Sequence, residues 1–344
     1  MSKYGFTFRW MFHPSTASWP FRKFKPLSPD LNALDFLAKH GFNYVRLPVS
    51  YWFWARRDDF FHPDESMVAP LDGYLQACQE RGLQLCLGLN RAPGHCIDAP
   101  RREIVNLWRD EVAQQGFDFT WHYFASRYRD VPGSQLCFEL ICDPPAVGER
   151  SLEEGVYERL MRQTVQTITA VSPQREIMVT GLDRGRLPLP SLVDLPVIQS
   201  LHAFEPMKLT HFETTWWLTQ FNRKQDQPDY PQLKHNGIVW NRQALIQYLA
   251  PWRELEATGV SVHVGDFGCF NRTDNWAALS WFTDLMGLFK DYGWGYCLGG
   301  FDGQFGMVNH GRPNTYYRET DGYMADRRLL ELMKESRGTR LLST

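Results

Sequence analysis

The chain has 344 residues, 43% of them hydrophobic, which is enough for one large α/β barrel or two smaller domains. Its 37 Lys and Arg balance 39 Asp and Glu to a net charge of −2, so no basic field indicates a nucleic-acid partner. No apolar run approaches the length of a membrane span, and the N-terminal residues lack the apolar core of a signal peptide. The seven cysteines form no CxxC pair, and no phosphate loop or ligand-spaced His/Cys cluster is present. We therefore expect a reducing, cytoplasmic location with no metal or organic cofactor.

Short apolar runs alternate along the chain with longer amphipathic stretches. Eight runs are predicted to be strands, at residues 4–12, 43–49, 83–89, 135–141, 176–181, 197–204, 260–268 and 293–301. Intervening stretches such as 71–82 and 156–171 carry apolar residues at helical spacing. Strands with little polar alternation, separated by helices, indicate a parallel sheet that is covered on both faces.

Eight such units in this length predict a single (β/α)8 TIM barrel over residues 1–344. A doubly wound open sheet is the alternative, although no GxGxxG motif follows the first strand. The longest irregular region, at about 205–241 after the sixth strand, is predicted to be a lid or a binding loop.

Two carboxylates stand where predicted strands end, Asp143 after the fourth strand and Asp266 in the seventh. Active-site residues of a barrel sit at the carboxyl ends of its strands, and the fourth and seventh strands of eight face each other. Paired carboxylates, with Arg46 and His202 at other strand ends, fit the requirements of glycoside hydrolysis. Taken singly, an Asp at a strand end is more often the N-cap of the next helix.

Six segments resemble, in the correct order, the strand-end signatures of glycoside hydrolase family 5. They are GFNYVRLPVSYW from Gly41, NRAPGHCID from Asn90, FELICDPP from Phe138, LHAFEPMKLTH from Leu201, VHVGDFG from Val262 and GGFDGQFGMVN from Gly299. The resemblance implies a TIM barrel that hydrolyses or transfers β-linked glucan-like saccharides. It also implies that Asp143 and Asp266 occupy the acid/base and nucleophile positions, both of which the family fills with Glu.

The resemblance further implies that Arg46 orients Asp266 and that His202 binds near the reacting sugar. Asn90, Cys142, Phe204 and Gly299 stand where the family has His, Asn, Tyr and Trp. Glu139 is interpreted either as a partner of Arg46 or as a structural ion-paired group. The predicted carbohydrate-binding residues are Arg46, Asn90, His202, Phe204, Glu205, His211, Trp52, Cys142 and Asp302.

Several mechanisms remain open at this stage. Each Glu-to-Asp change retracts a carboxylate by roughly 1.5 Å, which predicts an inverting enzyme with Asp143 as acid and Asp266 as base. A compensating backbone shift would instead keep a retaining mechanism with Asp266 as nucleophile. The alternatives are an inactive barrel that binds carbohydrate, a purely structural partner protein, and a Cys142 nucleophile with His202 as base.

Overall fold

The computed structural model describes residues 2–9, 28–97, 103–215 and 226–337. The barrel strands are β1 (Tyr4–Thr7), β2 (Tyr44–Ser50), β3 (Gln84–Ala92), β5 (Leu136–Glu139), β6 (Glu176–Thr180), β7 (Ile198–His202), β10 (Ser261–Phe267) and β11 (Tyr296–Leu298). Shorter strands are β4 (His95–Cys96), β8 (Leu233–His235), β9 (Ile238–Trp240), β12 (Tyr317–Thr320) and β13 (Tyr323–Asp326).

The helices are α1 (Leu31–Lys39), α2 (Glu65–Gln79), α3 (Glu111–Arg127), α4 (Val156–Val171), α5 (Met207–Thr210), α6 (Arg242–Glu256), α7 (Asn275–Tyr292) and α8 (Arg327–Glu335). Among the described residues, no helix is both long enough and apolar enough to span a bilayer.

Strand pairing is parallel and returns on itself. The order is β2-β1-β11-β10-β7-β6-β5-β3, and β2 also pairs with β3. Each of the eight predicted runs overlaps one of these strands, so the predicted (β/α)8 barrel is confirmed. The pattern that predicted it has a simple cause: every residue of β2 and β3 is buried, because a strand covered on both faces has no solvent side.

The chain packs as two compact units. The Asp143 unit comprises Thr7–His202 and Leu255–Val262, and the Asp266 unit comprises Met1–Phe6, Ala203–Glu254 and His263–Thr344. The prediction of a single domain over the whole chain stays a prediction.

The predicted loop at about 205–241 contains the short helix α5 and the β8–β9 hairpin. Its residues 216–225 lie outside the described part of the chain. A lid or binding role for this loop stays a prediction.

Neither strand-end aspartate caps the helix that follows it. Helix α4 begins after Gly155, and α7 is capped by Asp274, whose side chain accepts from the Trp276 amide. The common structural reason for an aspartate at a strand end is therefore absent at Asp143 and Asp266.

Candidate active site

Glu139 is the centre of a buried polar cluster in the Asp143 unit. Its carboxylate accepts from Arg46 Nε at 2.6 Å and Nη2 at 3.0 Å, and from Thr180 Oγ1 at 2.9 Å. The Arg46 and Glu139 side chains are 3% and 1% exposed. This bidentate ion pair fixes the orientation of the guanidinium plane and of the carboxylate plane, because the two N–H groups match the two carboxylate oxygens. The structure pairs Glu139 with Arg46, which is compatible with both interpretations of Glu139, and the role of Arg46 towards Asp266 stays a prediction.

His202 stands between two carboxylates in the same unit. Its Nδ1 is 3.3 Å from Asp143 Oδ1, and its Nε2 is 3.7 Å from Glu139 Oε1. Asn90 Nδ2 donates to Asp143 Oδ2 at 3.4 Å, and His95 Nε2 lies 3.1 Å from the Asp143 carbonyl oxygen. The His202 side chain is 2% exposed, but that of Asp143 is 25% exposed. The Asp143 carboxylate thus contacts His202 and Asn90 but remains partly exposed to solvent.

The proton of this cluster resides on His202. Burial by itself lowers the pKa of His202, but the neighbouring Asp143 and Glu139 carboxylates raise it to about 9. Burial raises the pKa of Asp143, yet His202 and the charge of Arg46 hold it below its ordinary value. The pKa of Glu139 is also held well below its ordinary value, because Arg46 and His202 outweigh burial. At neutral pH both carboxylates are ionised and the imidazole is cationic.

A left-handed turn after β6 holds both members of the Asp143–His202 pair. Asp183, Arg184 and Gly185 have φ of 52°, 57° and 79°. The Asp183 and Arg184 amides donate to the carbonyls of Pro145 and Pro144, which directly follow Asp143. Consecutive left-handed residues are strained, and such strain clusters where surrounding structure overdetermines it.

Gly185 in this turn packs directly on His202. A Cβ at residue 185 would stand 2.7 Å from the His202 ring Cγ and 2.7 Å from its backbone nitrogen. Only glycine therefore fits, both for its left-handed φ and for its contact with the imidazole.

Gly185→Ala should displace His202, and Gly237→Ala is its matched control. Gly237 has φ 75° with open space around its missing Cβ, so it pays the left-handed strain alone. We expect Gly185→Ala to lose about 1–3 kcal/mol more unfolding free energy than the control, because it adds overpacking. Urea denaturation of both variants measures the difference, and equal losses would contradict the contact.

Stability should depend on pH through His202. Its folded pKa of about 9 lies above the unfolded value near 6.5, so its contribution is fully present below about pH 6.5. That contribution is lost as pH rises through 9. We expect the unfolding free energy of the parent protein to fall by up to about 3 kcal/mol across this window. His202→Asn should give a flatter curve in the same denaturant titrations; parallel curves would refute the assignment.

Asp266 lies near the carboxyl end of β10 in the Asp266 unit and is half-buried. Its backbone carbonyl accepts from the Ala203 amide at 2.8 Å. A Cβ at residue 299 would stand only 2.9 Å from Asp266 Oδ1 and 3.2 Å from the Phe267 carbonyl oxygen. The carboxylate of Asp266 therefore occupies space that any side chain at Gly299 would need.

Half-buried aromatic rings cluster in the same unit. Phe305, from the segment after β11, lies 6.2 Å from Phe204, 5.4 Å from His211 and 5.3 Å from Phe270 between ring centroids. Phe305 also approaches Gly268, two residues beyond Asp266. His211 ends helix α5 and hydrogen-bonds Thr210 Oγ1 through Nδ1 at 2.9 Å; burial lowers its pKa to about 4. Binding roles for Phe204 and His211 stay predictions.

The remaining predicted residues have simpler surroundings. Glu205 accepts from the Met207 amide at 3.2 Å, at the start of α5. Trp52 is 8% exposed, with the Arg91 guanidinium 3.8 Å above its ring. Asp302 is exposed on the segment after β11. Binding roles for these three stay predictions.

Cys142 is poorly suited to act as a nucleophile. Its thiol is buried and lies 3.5 Å from Glu139 Oε2. Burial and the charge of Glu139 raise the pKa of Cys142 well above its ordinary value, so the reactive thiolate is disfavoured. The described residues contain no cluster of three or more His, Cys, Asp or Glu that could hold a metal ion.

Comparisons with known proteins agree with this architecture. The model of the cellulase family, glycosyl hydrolase family 5, matches residues 2–298. The chain belongs to glycosyl hydrolase family 5. Endoglucanase C of Acetivibrio thermocellus is 23% identical over 281 residues, 75% of this chain and 80% of that protein. Cellodextrinase A of Ruminococcus flavefaciens is 21% identical, over 76% of this chain and 75% of that protein.

Two solved structures are also similar to this family 5 chain. A crystal structure of a glycoside hydrolase shares 43% identity at a TM-score of 0.92, covering 98% of this chain and 100% of that chain. Cel5A of Thermotoga maritima with cellobiose shares 18% identity at a TM-score of 0.73, covering 96% of each chain, which shows the fold alone.

Sequence reasoning missed four residues that contact predicted residues within one unit or the other: Thr180, Gly185, His95 and Phe305. His95 lies in a segment already recognised as a strand-end signature, and its spacing after Asn90 was a usable signal. The other three reach the site through contacts between distant segments, which no local pattern reports.

In this family 5 chain, Gly299→Ala should misplace Asp266. A misplaced catalytic group costs about 10²-fold in rate, so the predicted catalytic role of Asp266 requires kcat on a glucan substrate to fall by about that factor. Gly268→Ala is the control, because its Cβ would make only ordinary contact, 3.4 Å from Phe305. Steady-state kinetics compare the two, and unchanged kcat in Gly299→Ala would contradict the steric argument.

Proposed function

We propose that the protein hydrolyses, or transfers glycosyl units from, β-linked glucan-like saccharides, with Asp143 and Asp266 as the carboxylate pair. The observation that carries this proposal is Asp143, one-quarter exposed yet backed by a His202 held against the Arg46–Glu139 pair. Relatives named endoglucanase and cellodextrinase support the substrate class. Cel5A structures with cellobiose and mannotriose support a saccharide ligand.

Asp143 serves in this proposal as the acid that protonates the leaving oxygen. In the resting cluster the proton is on His202, 3.3 Å from Asp143 Oδ1. As the glycosidic bond breaks, negative charge develops on the leaving oxygen and favours proton transfer from the Asp143–His202 pair. Two groups that share one proton titrate as a unit, so the pair rather than Asp143 alone sets the alkaline limb of the rate profile, where that proton is lost.

Asp266 performs the other carboxylate role in the proposed reaction. It acts either as the base that activates a water molecule or as the nucleophile. Inverting enzymes hold their two carboxyl groups roughly 6.5–9.5 Å apart to admit that water, and retaining enzymes roughly 5–5.5 Å. The shorter side chains at both positions support the wider gap, and we propose net inversion. NMR of the first-formed anomer tests this choice, because a retained configuration rules out the water mechanism.

Hydrolysis itself is tested with cellotetraose and with mixed-linkage β-glucan, measured as reducing ends released. New reducing ends from the parent protein are expected. Saccharide binding without turnover would replace the proposal with the inactive carbohydrate-binding barrel, and neither binding nor turnover would favour a structural partner protein.

A further inference from the structure

Two aromatic side chains of the Asp266 unit stand out in solvent. Trp276 and Tyr316 are each 70% exposed, more than any other large apolar side chain among the described residues. A buried aromatic ring contributes more to folding than any aliphatic side chain, because it removes about 150–250 Å² from water. Neither ring makes that contribution to the fold.

The backbone segments that carry the two rings are tied to each other. The Asp274 side chain accepts from the Trp276 amide at 2.8 Å and from Asn314 Nδ2. The Asn275 amide donates to the Pro313 carbonyl at 3.0 Å. Trp276 directly follows Asn275, and Tyr316 lies two residues after Asn314. The backbone near each ring is thus hydrogen-bonded to the segment that carries the other ring.

A buried polar network lies under this junction. Arg312 Nε donates to Asn275 Oδ1 at 2.9 Å, and Asn275 Nδ2 donates to Asp326 Oδ2 at 3.0 Å. His310 Nε2 lies 3.3 Å from the same Asp326 oxygen. These four residues are at most 3% exposed. A buried network whose hydrogen bonds are satisfied makes the adjoining backbone rigid. The backbone that carries Trp276 and Tyr316 is therefore held in place.

The rings lie on the side of the unit where the proposed chemistry takes place. Helix α7 follows β10, and the segment with Tyr316 follows β11. Both therefore leave the carboxyl ends of the strands, which is the end of β10 at which Asp266 stands. In barrels of this kind the substrate lies at that end.

The surroundings favour a saccharide over a protein partner. Arg272, Asn314, Arg318 and Glu319 are exposed near the rings in sequence, so the apolar surface is broken by polar groups. Apolar patches that mark protein interfaces are usually contiguous and larger than a few hundred Å². A pyranose has an apolar face for a ring and hydroxyl groups for polar neighbours.

We propose that Trp276 and Tyr316 form a remote platform for sugar units of a β-glucan chain, away from the bond that is cleaved. The platform rests on the proposed function for its ligand class. It predicts a protein that distinguishes long chains from short ones by affinity, since only a long chain reaches both the platform and the reacting carboxylates.

The test is the double variant Trp276→Ala/Tyr316→Ala in native gels that contain soluble mixed-linkage β-glucan. The parent protein should be retarded, and the double variant should bind at least about fivefold more weakly, as loss of two stacking contacts implies. The control is Ile104→Ala/Leu187→Ala, which removes side chains 54% and 52% exposed in the Asp143 unit. It should leave retardation unchanged.

Kinetics separate the platform from the proposed function. On an aryl cellobioside, too short to span the site, the double variant should keep kcat/KM within about twofold, while KM on the polysaccharide rises. Absence of retardation of the parent protein, or unchanged retardation of the double variant, overturns the platform. Failure of the proposed hydrolysis leaves the gel result intact, so the two proposals fail separately.

Discussion

Asp266→Asn should abolish turnover, with kcat falling by about 10⁴-fold on every glycoside substrate. An amide neither attacks the anomeric carbon nor activates water, whatever the leaving group. Asp143→Asn should cost roughly 10²–10⁴-fold on cellotetraose but far less on a dinitrophenyl glycoside, whose leaving group departs without a proton.

The control for these two variants is Asp194→Asn, an exposed aspartate that pairs with Arg162. It should retain full activity on both substrates. Stopped assays on the two substrates measure all three variants side by side. Loss on both substrates in Asp143→Asn, or full activity in Asp266→Asn, would reverse or remove the assigned roles.

Glu139→Gln should lower the unfolding free energy by about 3–5 kcal/mol, the usual cost of leaving a buried charge unpaired. The substitution keeps the size of the side chain but strands Arg46, whose guanidinium is 3% exposed. It also removes the negative charge that accepts a hydrogen bond from Thr180 and that lies close to His202. Urea denaturation gives the loss from the shift in midpoint.

Two comparisons sharpen this prediction. Asp194→Asn breaks the exposed pair between Arg162 and Asp194, whose side chains are 35% and 61% exposed, and should shift the urea midpoint far less than Glu139→Gln does. The double variant Arg46→Met/Glu139→Leu should lose less than Glu139→Gln alone, because removing both charges avoids the unpaired one. A loss below about 1 kcal/mol in Glu139→Gln would show that Arg46 finds another partner.

The proposed function assigns different roles to the buried and the exposed carboxylate of the Asp143 unit. Glu139 is almost wholly buried and locked by Arg46, so it serves position and charge. Asp143 reaches solvent and shares its environment with a cationic His202. Two carboxylates of the same short segment, FELICDPP, thus differ in surroundings: Glu139 is the last residue of β5 and is buried, whereas Asp143 lies four residues beyond the strand and is partly exposed.

By itself, the sequence determined the fold class and the approximate position of each barrel strand. Apolar runs without polar alternation report burial on both faces, and this signal is local, so it survives without knowledge of the partners. The same local signal located Asp143 and Asp266 at strand ends, and the resemblance to family 5 pointed to the same positions.

Only the tertiary structure decided which groups meet. Arg46 and Glu139 are separated by 93 residues, and sequence reasoning left the role of Glu139 open between two interpretations. The His202 imidazole between two carboxylates, the Gly185 contact and the Asp266 carboxylate in the space beside Gly299 are likewise contacts between distant segments. Spacing along the chain carries no information about such contacts, because they arise only when the strands and their following loops are packed side by side.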